Sequence, residues 1–199
     1  MEAKLFNRWD VSGVVVNDLG LRKYINLQPT IVPKSSGRYA RHQFHKSKMN
    51  IVERFITRLM VPGHRGKKHV ISSGSVVGKY QTVYKIARRT FERIEEVTKK
   101  NPVEVLVRAI ENSALREEIA AYQVGGIIVR RAVITSPQRR VDLALRIIVQ
   151  SSYRKSFGKK DDMVTALVNE IIAAYNNDAS KSEAIKDRQR SEREAEGAR

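Results

Sequence analysis

The stretch VPGHRGKKH, residues 61–69, sets Gly63 and Gly66 among His64, Arg65, Lys67, Lys68 and His69, directly after an apolar run. Glycines among cations suit phosphate contact, because the backbone approaches closely while the side chains neutralise charge. A nucleotide cradle asks for more: G-x-x-x-x-G-K-[ST] after a strand, so that a hydroxyl reaches magnesium. Gly63 and Gly66 are only three apart, and Lys67 is followed by Lys68. In GSVVGKYQT the glycines Gly74 and Gly78 are one residue too close, and Tyr80 takes the hydroxyl position. Neither segment is a nucleotide cradle. The four histidines form the pairs His42/His45 and His64/His69, both set among Lys and Arg. Neighbouring cations disfavour a metal there, and no carboxylate close in sequence orients an imidazole. His64 or His69 is where an RNA-cleaving activity would sit, but no nucleophile and base stand together, so no enzyme, metal, cofactor or small-molecule substrate is expected. The chain has no cysteine, which removes disulfides and thiolate zinc sites and suits a reducing compartment.

The cations are unevenly distributed. The chain of 199 residues carries 38 Lys+Arg against 21 Asp+Glu, a net charge of +17. Residues 34–80 hold eleven of the cations and one acid, Glu53; residues 128–160 hold nine and one acid, Asp142. These two windows account for all of the excess. Ordinary solvated faces alternate in sign, so two concentrated windows point to a polyanion touched at two places. The binding candidates in the first window are Lys34, Arg38, Arg41, His42, Lys46, Lys48, the cationic residues of the 61–69 stretch and Lys79. In the second they are Arg130, Arg131, Arg139, Arg140, Arg154, Lys155, Lys159 and Lys160. No apolar run reaches 18 residues and the N-terminus lacks a signal-peptide pattern, so a cytoplasmic protein without membrane contact is expected.

The elements that position these groups read as mainly helical. Residues 1–48, with PTIVPKSSGRYA and RHQFHKSK, read as a loosely organised N-terminal arm whose basic part, 34–48, orders on binding. A helical domain over 49–179 follows. IVERFITRLM has the apolar spacing of an amphipathic helix, with Ile51, Val52, Phe55, Ile56, Leu59 and Met60 inward and Glu53, Arg54, Thr57 and Arg58 outward. A second helix is expected from about Val76 to Lys99, burying Val83, Ile86, Ala87, Phe91, Ile94 and Val97. Asn101-Pro102-Val103-Glu104 opens a third as a capping box. At about 117–135, β-branched residues flank Gly125-Gly126, the mark of a β-hairpin whose turn needs positive φ. Ser136-Pro137 starts a fourth helix and Asp161-Asp162 a fifth; residues 180–199 read as a surface helix or tail that docks on something else.

Several stretches in this order resemble one family: FNRWDV, YINLQPTIVP, GRYA, NIVERFITRLM, GHRGKKH, KNPVEVLVRAIENSALREE, VGGIIVRRAVITSPQRRVDLAL and AIKDRQRSER. Together they resemble the seventh protein of the small ribosomal subunit, in its archaeal and eukaryotic branch and closer to archaeal members. The resemblance implies a bundle of about six helices with a protruding two-stranded β-hairpin. It implies primary binding to the three-prime major domain of small-subunit ribosomal RNA, nucleation of the head, and a site at the subunit interface near the messenger exit path and exit-site tRNA. Neighbouring small-subunit proteins of the head and platform are the implied protein partners. Carried over by position, the Gly63–His69 loop and the arm would hold ribosomal RNA, and the hairpin with Arg139-Arg140 would approach transfer RNA or messenger. One departure is Glu183, where the family has an aromatic residue; with Glu192, Glu194 and Glu196 it dilutes the charge of a tail that is basic in relatives. The alternative from composition alone is a basic DNA-binding or chromatin protein, which needs a base-reading helix, whereas here the cations crowd an arm, loops and a hairpin.

Overall fold

The computed structural model describes residues 3–65, 68–69 and 75–199, with the backbone alone at His64, Arg65, Lys68 and His69. Among them are six α-helices: α1 (Ile51–Leu59), α2 (Tyr80–Thr98), α3 (Pro102–Ser113), α4 (Pro137–Ser156), α5 (Met163–Tyr175) and α6 (Glu183–Glu196). Two antiparallel ribbons complete the fold: β1 (His64–Arg65) with β2 (Lys68–His69), and β3 (Glu117–Val124) with β4 (Ile127–Ile134). The fold is the helical bundle with a projecting hairpin that the sequence predicts.

Local chemistry starts the helices. Asn50 caps α1 by accepting from the Val52 N–H at 2.9 Å, and Asn101 caps α3 by accepting from the Val103 N–H at 3.0 Å, with Pro102 at the first position. Ser136 makes no side-chain cap, so the fixed φ of Pro137 begins α4 unaided. The second helix starts four residues later than expected, because Gly78 sits at φ 69°, outside helical space. Val97 is 60% exposed, beside rather than within the stripe of Val83, Ala87, Phe91 and Ile94 that α2 buries. Helix α5, apolar on most sides, lies centrally against α2, α3 and α4.

The first residues depart furthest from expectation. Leu5, Phe6, Trp9, Val11, Val16, Leu21 and Ile25 are buried in the core rather than belonging to a loose arm. Phe6, Trp9 and Phe91 meet edge to face at 5.7–6.0 Å between ring centroids, and Phe55 stacks on Phe91 at 6.2 Å. Asn101 Nδ2 donates to the Asp10 carbonyl at 2.5 Å, joining this segment to the start of α3. Scattered large hydrophobes without periodicity hid this packing. The body therefore includes the N-terminal segment, and the exposed basic stretch begins near Lys34.

The hairpin turn has φ 56° at Gly125 and φ 87° at Gly126, the doubly left-handed pair that closes a two-residue loop between right-twisted strands. Val124 faces Ile127 next to the turn, and the pairing runs back to Glu117 opposite Ile134. Eight residues per strand carry the ribbon about 26 Å. Its distal half is exposed, with Ile127 and Ile128 at 71% and 69%. The last element, α6, docks on this same chain: it packs against β3, α4 and α3 and buries Ala184, Ile185 and Ala195.

Trp9→Ala is expected to lower the unfolding free energy by about 3–5 kcal/mol, as loss of a core aromatic does. Urea denaturation measures it; a loose arm would give no change.

Candidate nucleic-acid interface

The structure sorts the candidate cations by whether the fold already uses them. In the arm, Glu53 is buried in α1 and accepts from both the backbone N–H and the hydroxyl of Ser35 at 2.6 Å. Tyr80 donates its hydroxyl to the Pro33 carbonyl at 2.7 Å, and burial first, then Glu53 and Tyr84, push its pKa up to about 12. Lys34 lies over the Tyr80 ring, 5.2 Å from its centroid. These contacts fasten the root of the basic stretch to α1 and α2. Beyond them two 3₁₀ turns, Arg38–Ala40 and His45–Lys48, present Arg38, Arg41 and Lys48 exposed and, among the described residues, without ion pairs. His42 and His45 lie 4.8 Å apart, and desolvation, Lys48 and His42 push His45 below its ordinary value. Lys46 is held by Asp142 at 2.9 Å.

The second window divides the same way. Arg130 and Arg131 are exposed and lie opposite Ala121 and Ala120, so neither has a cross-strand acid to occupy it. Lys159 and Lys160, between α4 and α5, and Lys79 just before α2 are exposed and carry no ion pair among the described residues. Arg139 and Arg140 differ from that pattern. Arg139 donates two bonds to Glu118, at 2.5 and 2.6 Å, and this carboxylate holds its pKa up. Arg140 is nearly buried, donating to Asp18 at 2.7 Å and to the Leu115 carbonyl at 3.1 Å, so it joins the N-terminal segment to α4 instead of facing outward. Lys155 is also an internal fastener: it donates to Glu170, whose side chain is fully buried, at 2.6 Å and to the Lys181 carbonyl at 3.0 Å. Glu170 in turn accepts from Ser182 Oγ and the Ala184 N–H, which sets the start of α6. Arg154 pairs on the surface with Glu183, at the start of α6.

The 61–69 stretch is a short ribbon rather than an open loop. His64 pairs with His69 and Arg65 with Lys68, while Gly66, Lys67 and the four side chains on the ribbon lie outside the described residues. Gly63 is buried, so it closes the turn after α1 and does not offer its backbone outward. The C-terminal tail braces the hairpin: Arg199 donates to both oxygens of Glu117 at 2.7 Å, Glu192 accepts from the Arg116 N–H at 2.9 Å, and Arg188 donates to the Asn112 carbonyl.

Three arginines of the basic windows stand outside the candidate set, and Glu53 and Arg54, expected on the outward face of α1, are buried. Arg54 has a side chain with no exposure, giving its guanidinium to Asp142 at 2.9 Å and to the Tyr24 carbonyl at 2.8 Å. Arg58 is half-buried below it, and Arg146 lies exposed on α4. The available signal was the solitary acid of each window, Glu53 and Asp142: an acid alone among cations is placed to hold some of them in the fold. Among the described residues no cluster of His, Cys, Asp or Glu could hold a metal, and no helix is long and apolar enough to cross a membrane.

Residues 21–199 match the family described as ribosomal protein S7p/S5e. The chain belongs to this family. A protein of Nanoarchaeum equitans named small ribosomal subunit protein uS7 is 50% identical over 199 residues, all of both chains. Proteins of the same name from Methanothrix thermoacetophila and Methanococcus aeolicus are 42% and 41% identical over 98–100% of this chain and all of their own. The chain is thus an S7p/S5e protein of the archaeal type. Membership makes it a structural ribosomal constituent, which displaces both the chromatin reading and the RNA-cleaving one.

Asp142 and Asp18 provide a pH test of the internal pairs. Burial alone would raise the Asp142 carboxyl, but the Lys46 hydrogen bond and Arg54 outweigh it and hold the pKa below the ordinary value; at Asp18, burial is likewise outweighed by Arg140 and the Gly20 N–H. A depressed pKa adds stability above the unfolded value of about 4, and this is lost as pH falls through the folded values. The unfolding free energy of the wild type should therefore fall as pH drops below about 4, and more gently in Asp142→Asn. Equal slopes in acid would remove Asp142 from this role.

Proposed function

We propose that this protein is a primary RNA-binding constituent of the small ribosomal subunit, acting in translation in the cytoplasm. In this reading it binds the three-prime major domain of small-subunit ribosomal RNA and nucleates assembly of the head. It lies at the subunit interface near the messenger exit path and exit-site tRNA, beside other proteins of the head and platform. The observation that carries the RNA-binding part is the sorting of cations: Arg38, Arg41, Lys48, Lys79, Arg130, Arg131, Lys159 and Lys160 stay exposed without ion pairs among the described residues. The names of the relatives, small ribosomal subunit protein uS7, supply the assembly.

Folded RNA packs phosphates densely, so unpaired cations on a rigid body gain affinity by releasing counterions, while shape selects the site. The hairpin extends this surface as a thin ribbon with Arg130 and Arg131 on opposite faces. Arginine at these positions suits bidentate phosphate contact and stacking on unpaired bases. The Gly63–His69 stretch and the arm at Arg38–Lys48 are the other proposed ribosomal RNA contacts.

The purified chain should bind a head-domain fragment of small-subunit ribosomal RNA and cosediment with small subunits. Its affinity should fall roughly 10³ to 10⁵-fold between about 50 and 200 mM salt if some six to ten phosphates are engaged. Equally tight binding to unrelated duplex DNA would contradict the proposal.

A further inference from the structure

Trp9 is 4% exposed, and its indole Nε1 has no hydrogen-bond partner among the described residues. A buried donor left unmet is costly, so the site calls for an acceptor. On α2, Glu95 Oε2 is also buried and accepts no hydrogen bond, although Arg8 pairs with it at 2.5 Å. Both residues line one cavity of about 540 Å³, set between residues 8–10 and the corner 95–101 that joins α2 to α3. Arg8 lies over the Trp9 ring, 5.4 Å from its centroid, and the Asn101 side chain holds the Asp10 carbonyl. The two sides of the cavity are thereby fixed to each other.

The charges around it differ from those of the basic windows. Asp10 is occupied by Ser12, whose N–H and hydroxyl donate to it at 2.8–2.9 Å, and Lys100 donates to the Tyr175 hydroxyl at 2.8 Å. That leaves Glu96 and Lys99 exposed and, among the described residues, without an ion pair, one charge of each sign. Val97, 60% exposed, adds an apolar group between them in sequence. A polyanion would be repelled by Glu95 and Glu96, whereas protein surfaces bring both signs. The cavity also sits at the opposite end of α2 from Tyr80, which fastens the root of the basic stretch; the helix separates them by about 27 Å.

We propose that this cavity receives an extended segment of a neighbouring protein of the small subunit, one of whose peptide groups accepts from Trp9 Nε1–H and donates to Glu95 Oε2. The proposal rests on the ribosomal reading above and gives one of its protein contacts a place. A peptide group carries both an N–H and a C=O, so it answers both unmet atoms at once. A phosphate has acceptor oxygens to give to Trp9 but no donor for Glu95. Glu96 and Lys99 flank the segment and favour side chains of opposite sign, and Val97 gives it an apolar rest.

The test places the photoreactive residue p-benzoylphenylalanine at position 96 of the full chain, assembles it into purified small subunits, and sequences the cross-linked product. A defined segment of another subunit protein should be captured. Trp9→Phe keeps a ring in the core and removes the N–H; it should lower the yield of that cross-link about threefold to tenfold, the worth of one hydrogen bond. Lys99→Glu, an exposed change, should lower it too. Both variants should bind the head-domain RNA fragment as the wild type does, a readout that damage to the fold would move; if Trp9→Phe loses RNA affinity, Lys99→Glu alone decides.

Capture of ribosomal RNA in place of protein overturns the choice of partner, and assembled subunits that give no cross-link to another protein overturn the docking itself. An unchanged yield in a well-folded Trp9→Phe, or in Lys99→Glu, overturns the assigned contacts. A chain that never enters small subunits overturns the ribosomal reading together with this one, which tells the two failures apart.

Discussion

The carboxylate of Asp142, reached by Arg54 and Lys46 at 2.9 Å each, is the contact on which the rest of the arrangement turns. A chain with a charge of +17 cannot fold if its cations merely repel. The two basic windows contain one acid apiece, and both acids are spent inside the molecule. Asp142 ties the arm and α1 to α4, while Glu53 ties the root of the arm to α1. Breaking one partner of such a pair strands a buried charge, which costs more than the pair contributes when intact. The internal acids therefore decide which arginines belong to the fold and which stay exposed.

The same logic extends to the periphery. Glu170 is fully buried and holds Lys155, Ser182 and the start of α6. With α6 so placed, Arg199 and Glu192 reach the base of the hairpin. The ribbon cannot bury its own faces, so its direction comes from this bracing and from Arg139 on Glu118. A ribbon held at its root and bare at its tip would lose little freedom on meeting the proposed RNA partner.

Periodic features were legible in the sequence because periodicity is a local property. The stripes of α1 and α5, the Asn101-Pro102 start and the Gly125-Gly126 turn each announce themselves within a dozen residues, and the hairpin boundaries were readable within two. The family resemblance extended this to the whole architecture. Contacts that join distant residues were not legible. Trp9 on Phe91, Arg140 on Asp18 and Lys155 on Glu170 lie 15 to 122 positions apart, and nothing near Arg140 or Lys155 distinguishes them from Arg130 or Lys160. Counting cations locates the two basic windows, but only the fold tells a cation already answered by a carboxylate from one left exposed. Sequence alone therefore places Arg140 and Lys155 among the candidate contacts, and the fold places both inside the molecule.

The central claim is that unpaired cations bind RNA and paired cations hold the fold. Two triple variants that remove equal charge test it directly: Arg41→Gln, Arg131→Gln and Lys160→Gln against Arg139→Gln, Arg140→Gln and Lys155→Gln. The quantity measured is the slope of log affinity for the RNA fragment against log salt, with urea stability read in parallel. The first variant should flatten the slope by about 3 and keep its stability, while the second should keep the slope and unfold more easily. Equal flattening in both would contradict it.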